Sequence, residues 1–150
     1  MNWHQKHEIL WLTIAKQSED LVVKWKEAKV NPNEHFGIHI FLARYKASVI
    51  NALWPNEPRH ILNGCFACQE ADKRIDDSSW LGEDEMCDVC PLRWPNGLTC
   101  DDPGSLYDAL CDAIYDYKTG RIKTLCHKIA EVPECTEEEY EEKIQHVIDG

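Results

Sequence analysis

GCFACQEADKRIDDSSWLGEDEMCDVCPLRW, residues 64–94, decides how this chain is read, because it holds two Cys-x-x-Cys pairs and little that can be buried. Eighteen residues separate Cys68 from Cys87, and only Ile75, Trp80, Leu81 and Met86 among them are large and apolar. Closing a loop of that length costs roughly a few kcal/mol of chain entropy, which so polar a segment does not recover by burial. A structural zinc ion contributes roughly 10 kcal/mol or more at neutral pH. Two thiolates from each of two tight turns are what a tetrahedral zinc site takes, at Zn–S distances of about 2.3 Å. Cys65, Cys68, Cys87 and Cys90 are therefore the expected ligands of Zn²⁺, with Cys100 ten residues beyond as the reserve ligand.

Gln69 and Pro91 stand where a flat zinc knuckle favours glycine, so the pairs read as turns at helix N-termini, where peptide dipoles favour thiolate. A redox Cys-x-x-Cys needs alternating strands and helices, and the chain has almost no strand signal. Cys111, Cys126 and Cys135 read as small apolar core residues.

Outward from this segment the pattern is helical. Trp3, His7, Leu10, Ile14, Leu21 and Trp25 fall at helical spacing, predicting one amphipathic helix over 2–30 that stops before Pro32. A second helix is expected over 33–53, with Phe36, Ile40, Ala43, Ala47 and Ile50 on its apolar face and Arg44, Lys46 and Ser48 opposite, giving an N-terminal antiparallel hairpin. Beyond the cysteines, Ser105 and Asp108 read as an N-cap and its partner, and the helix they open is ended or bent at Gly120 and continues over 121–130. Thr136 and Glu139 form a capping-box pattern before an acidic final helix edged by Tyr140, Ile144 and Val147. The expected fold class is all-α: a single domain over 1–150 with a zinc-binding module embedded at 60–102.

At 150 residues and 43 % hydrophobic content the chain can bury a moderate core, and six tryptophans spread along it supply anchors. The opening residues lack a signal-peptide pattern and no run approaches a membrane span, so eight cysteines point to a reducing, cytoplasmic setting. The net charge of −11 is unevenly divided, +2 over residues 1–60 and −13 over 61–150. Such a surface repels phosphate and anionic membrane, and suits a protein partner with a basic face.

No catalytic pattern emerges. Four thiolates leave a zinc ion no open position for water, and the deaminase, phosphate-loop, nucleophile-elbow and dinucleotide signatures are absent. His35 and His39 lie one helical turn apart without the intervening glutamate of zinc proteases, and they and His60 read as surface residues. Asp108, Asp112 and Asp116 step along one helix face; the plain reading is a solvated stripe, and the sharper one a row of charges about 6 Å apart imitating phosphates.

The run Cys65-Phe-Ala-Cys68, Cys87-Asp-Val-Cys90-Pro91-Leu92, then Gly97 and Cys100, resembles small bacteriophage-encoded zinc-binding proteins with a Cys-x-x-Cys…Cys-x-x-Cys-Pro module between helices. The resemblance covers about forty residues and implies an inhibitor or adaptor acting on a host or defence protein. Together these readings predict a non-enzymatic, zinc-stabilised interaction module whose partner surface includes Asp108, Asp112, Asp116, Trp80 and Trp94. Two rivals stand beside it: a metal-dependent nuclease or hydrolase using His35, His39, His60 or the aspartates, and a nucleic-acid reader using Lys24, Lys26 and Lys29.

Overall fold

The computed structural model describes residues 1–30, 37–56, 65–75, 87–100 and 102–149, with Cys87 described in its backbone alone. Among them the chain forms seven α-helices and no strand: α1 (Trp3–Lys16), α2 (Ser18–Val30), α3 (Ile38–Leu53), α4 (Phe66–Arg74), α5 (Leu106–Tyr115), α6 (Thr119–Ala130) and α7 (Glu137–Asp149). The all-α expectation holds. None of these helices is long and apolar enough to cross a membrane.

The single helix expected over 2–30 is broken at Gln17. The Ser18 hydroxyl donates to the Ala15 carbonyl at 2.6 Å, a local bond that competes with the helical ladder and bends it. Both halves keep the predicted apolar face, for His7, Leu10, Ile14, Leu21 and Trp25 are all buried. The main partner of α1 is α6 rather than α3, and α5 also packs on α6, so the centre of the core is the α1–α5–α6 cluster of Leu10, Ile14, Leu110, Ile114, Ile122 and Ile129. The predicted hairpin between the first two helical segments is thus a lesser contact than the packing of α1 on α6.

In α3 the buried face is Phe41, Leu42, Tyr45, Lys46, Val49 and Ile50, not the face through Ile40 and Ala47. Ile40 is half exposed, and Leu42, Tyr45, Lys46 and Val49 follow the i, i+3, i+4, i+7 stripe. This phase brings a lysine into the interior.

The break between α5 and α6 falls before Gly120. Tyr117 takes φ of +60°, its N–H donates to the Ile114 carbonyl and the Lys118 N–H to the Ala113 carbonyl. That is the paired bonding of a Schellman cap with a tyrosine where glycine is usual, while Gly120 lies inside α6. The predicted capping box of α7 is formed: the Thr136 N–H donates to Glu139 Oε1 at 2.9 Å, and the Glu139 N–H to Thr136 Oγ1 at 3.2 Å.

The cysteine segment is fastened to the C-terminal part. Leu92 pairs with Glu134 in an antiparallel bridge, the Arg93 N–H donates to the Pro133 carbonyl and the Cys135 N–H to the Pro91 carbonyl, each at 2.8 Å. From α7, Lys143 Nζ donates to the carbonyls of Cys90 and Leu92, both at 2.9 Å.

Candidate metal centre

Cys65 is the N-cap of α4, with extended backbone, and its sulfur accepts the Cys68 N–H at 3.4 Å. The first pair thus takes the predicted place at a helix N-terminus, where the dipole and free N–H groups favour negative sulfur. The second pair differs: Cys87–Val89 is one turn of 3₁₀ helix, and Pro91 follows it as a bend rather than the first residue of an α-helix. The Pro91 carbonyl is taken instead by the Cys135 N–H.

Cys65, Cys68, Cys90 and Cys100 line one cavity of about 450 Å³, enclosed by α1, α3, α4, α5 and the 90–100 segment. Trp11, Phe66, Trp94 and Tyr107 form aromatic walls, and His7, His39 and Lys46 also reach it. The reserve ligand therefore shares a chamber with three of the four expected ligands; the side chain of the fourth, Cys87, lies outside the described residues. Among the described residues no three Cys, His, Asp or Glu side chains are gathered closely enough to hold an ion. What the chamber offers a metal is its chemistry: soft sulfur donors on several walls.

The thiols are electrostatically unequal. Cys65 is brought down to about 6, first by its hydrogen bond with the Cys68 thiol, against the opposing effect of burial, and then by the Lys46 ammonium. Cys90 is pushed up to about 12 by burial and by the charge of Cys65, only partly offset by the Leu92 backbone, the Trp94 indole and Lys143. One thiolate is favoured and a neighbouring second is resisted. A divalent cation reverses that resistance, since a coordinating thiol ionises outright.

Lys46 is 4 % exposed, and no described carboxylate lies within ion-pair distance of it. Its Nζ lies 4.9 Å from the Tyr107 ring centre and 5.7 Å from that of Trp11. Burial alone would push its ammonium down, yet Tyr107, Cys65 and Cys100 outweigh burial and raise it. The sequence placed Lys46 on the polar face of α3; the signal for its burial was its position midway along the Leu42–Tyr45–Val49 stripe. On the far side of the chamber, His7 Nε2 donates to the Ile129 carbonyl at 2.9 Å. Burial brings that imidazole down to about 4, against the pull of the same hydrogen bond.

The expected partner-binding residues are distributed differently from the prediction. Trp94 is buried at 8 % exposure and lines the cavity together with Cys90 and Leu92, so it is not a surface aromatic. Trp80, His35 and His60 lie outside the described residues. Asp112 and Asp116 are exposed on α5, whereas Asp108 is half-buried at the cavity and its carboxylate accepts the Gly104 N–H at 3.0 Å. His39 also reaches the cavity, with Nδ1 3.7 Å from the Cys111 sulfur. The basic residues of α2 are engaged within the fold: Lys24 pairs with Asp20 at 3.3 Å, Lys26 lies over the Tyr117 ring at 4.8 Å, and Lys29 donates to the Tyr117 hydroxyl at 3.1 Å.

No protein-family model matches the chain, and comparison with curated proteins and with solved structures gives no match either.

Proposed function

We propose that this chain is a zinc-stapled, non-enzymatic helical protein that works by binding another protein through its acidic surface, as an inhibitor or adaptor of the kind found among bacteriophage products. The observation that carries the zinc reading is the meeting of Cys65, Cys68, Cys90 and Cys100 on one chamber. Cys87, three residues before Cys90 in the sequence, stays a candidate alongside these four for the four coordination positions of zinc. The metal's part is to join α4, the 87–100 segment and the helical core at the cavity on which their sulfurs meet.

The interaction reading is supported by charge. Glu137, Glu138, Glu141 and Glu142 are exposed on α7, and Asp112 and Asp116 on α5. Such a surface attracts a basic face and is repelled by nucleic acid.

Two measurements test the two halves. Elemental analysis of protein purified under reducing conditions is expected to give one zinc per chain, and stripping it with a chelator to lower the melting temperature by more than 10 °C. Zinc below one-tenth of stoichiometry, or melting indifferent to the chelator, rejects the staple. Affinity capture from cells producing the tagged chain is expected to recover a protein released by moderate salt. Capture of the same protein by a chain carrying Asp112→Asn, Asp116→Asn, Glu138→Gln and Glu142→Gln rejects the acidic interface.

A further inference from the structure

We infer that the chamber is also a small-molecule site: it takes a planar aromatic ligand carrying a carbonyl or carboxyl oxygen, with the rings against Trp11 and Tyr107 and the oxygen on Lys46 Nζ. This goes beyond the zinc reading and is tested separately from it.

Protein interiors are close-packed, with few voids larger than a water molecule. A cavity of about 450 Å³ has room for roughly fifteen waters at about 30 Å³ each, and a single metal ion is smaller than one of them. The volume lies in the range of about 300–1,000 Å³ in which organic ligands bind, in clefts lined by apolar and aromatic side chains with a few placed polar groups. Trp11, Phe66, Trp94 and Tyr107 line this one, and aromatic walls favour flat aromatic guests through offset and edge contacts. The walls from α1, α3 and α5, which include Trp11, Ala43, Lys46 and Tyr107, hold none of the expected ligand cysteines. His39 and Ile40 line the cavity and are exposed, so the chamber opens to solvent beside the first turn of α3.

Lys46 is the polar group placed to orient such a guest. It is 4 % exposed, and its Nζ stands 5.7 Å from the Trp11 ring centre and 4.9 Å from that of Tyr107, two walls of the cavity. The Tyr107 side chain is its hydrogen-bonding neighbour and engages one N–H. A lysine amine carries more than one N–H in either protonation state, so a donor remains for a ligand oxygen. His7 and Asp108, which also line the cavity, are bound elsewhere: His7 Nε2 donates to the Ile129 carbonyl, and Asp108 accepts the Gly104 N–H. A buried donor is costly to leave without an acceptor. Aromatic faces attract an amine but supply no lone pair in its plane of approach, whereas a carbonyl or carboxyl oxygen does.

The test titrates naphthoate and its neutral amide into the wild-type chain, Lys46→Met and Ala43→Phe under reducing conditions, with binding read by ligand-observed NMR and zinc measured on the same samples. Wild type is expected to bind at least one of the two more tightly than about 1 mM; naphthoate alone identifies a carboxyl as the favoured oxygen, and the amide alone or both compounds a carbonyl. Ala43→Phe puts a ring into the cavity and is expected to weaken binding roughly tenfold or more with helix content unchanged. Lys46→Met, of similar length without the donor, is expected to weaken it roughly fivefold. No binding to wild type at millimolar concentration overturns the inference, as does wild-type affinity in either variant. Should a variant fail to fold, ring contacts in the wild-type chain decide: the bound compound is expected to show nuclear Overhauser effects to Trp11 and Tyr107, and contacts confined to other residues overturn the inference. A chain that binds the compound without zinc upholds this inference and rejects the staple, and one that holds zinc without taking the compound does the reverse.

Discussion

Acidification should weaken this fold through His7, by an amount that follows from the position of its ring. The imidazole is 3 % exposed, and its Nε2–H is used by the Ile129 carbonyl. Burial brings it from 6.5 in the unfolded chain to about 4 in the fold. Above pH 6.5 both states hold it neutral and nothing is lost. As pH falls from 6.5 towards 4, the unfolded chain takes up a proton that the folded chain refuses, so stability declines with falling pH. Between pH 7.5 and pH 5 this amounts to about 2 kcal/mol. Urea unfolding at the two pH values, on wild type and on His7→Gln, isolates the effect. Glutamine keeps a donor for the Ile129 carbonyl and does not titrate, so its stability should fall by about 2 kcal/mol less than wild type over this interval. Thiol protonation affects both chains alike and cancels in the difference. Equal pH dependence in the two proteins, or a His7 ring found by NMR to titrate near 6.5 in the folded state, would refute the reasoning.

Three further outcomes follow from single contacts. Lys143→Met removes two charge-assisted hydrogen bonds to the carbonyls of Cys90 and Leu92 and should cost about 2 kcal/mol in urea unfolding; a cost below 0.5 kcal/mol, roughly, would show the carbonyls adequately solvated without it. At position 117, glycine should be more stable than alanine by about 1 kcal/mol, because both lose the tyrosine ring and only alanine keeps the strain of φ at +60°. Equal stability of the two would mean that the cap relaxes. Thr136→Ala should cost about 1 kcal/mol and fray the first turn of α7, visible as faster amide exchange at Glu139.

Much of the helical architecture was legible because it is written in spacing. Leu10, Ile14, Leu21 and Trp25 declare their buried face, and Thr136 with Glu139 marks the start of α7, since capping and amphipathicity are local properties. What escaped the sequence depended on partners far along the chain. The phase of α3 was misjudged because Lys46 was assigned to solvent on its charge, whereas its neighbours Trp11, Cys65 and Tyr107 come from three other segments. Tyr117 hid the end of α5, because glycine is the usual sign of a left-handed cap and one stood three residues later. The same limit applies to the thiols: pair spacing pointed to Cys65, Cys68, Cys87 and Cys90, while the nearness of Cys100 to the cavity depends on how the 90–100 segment folds back.

The fastening of residues 91–93 to residues 133–135, and of Lys143 to the Cys90 and Leu92 carbonyls, has a bearing on how the molecule is made. Translation proceeds from the N-terminus at about 5–20 residues per second, so the cysteines emerge roughly several seconds before the strap that secures them. During that interval the sulfurs are open to whatever ion or oxidant the nascent chain meets. The final helix then arrives as a late clasp over a segment made well before it.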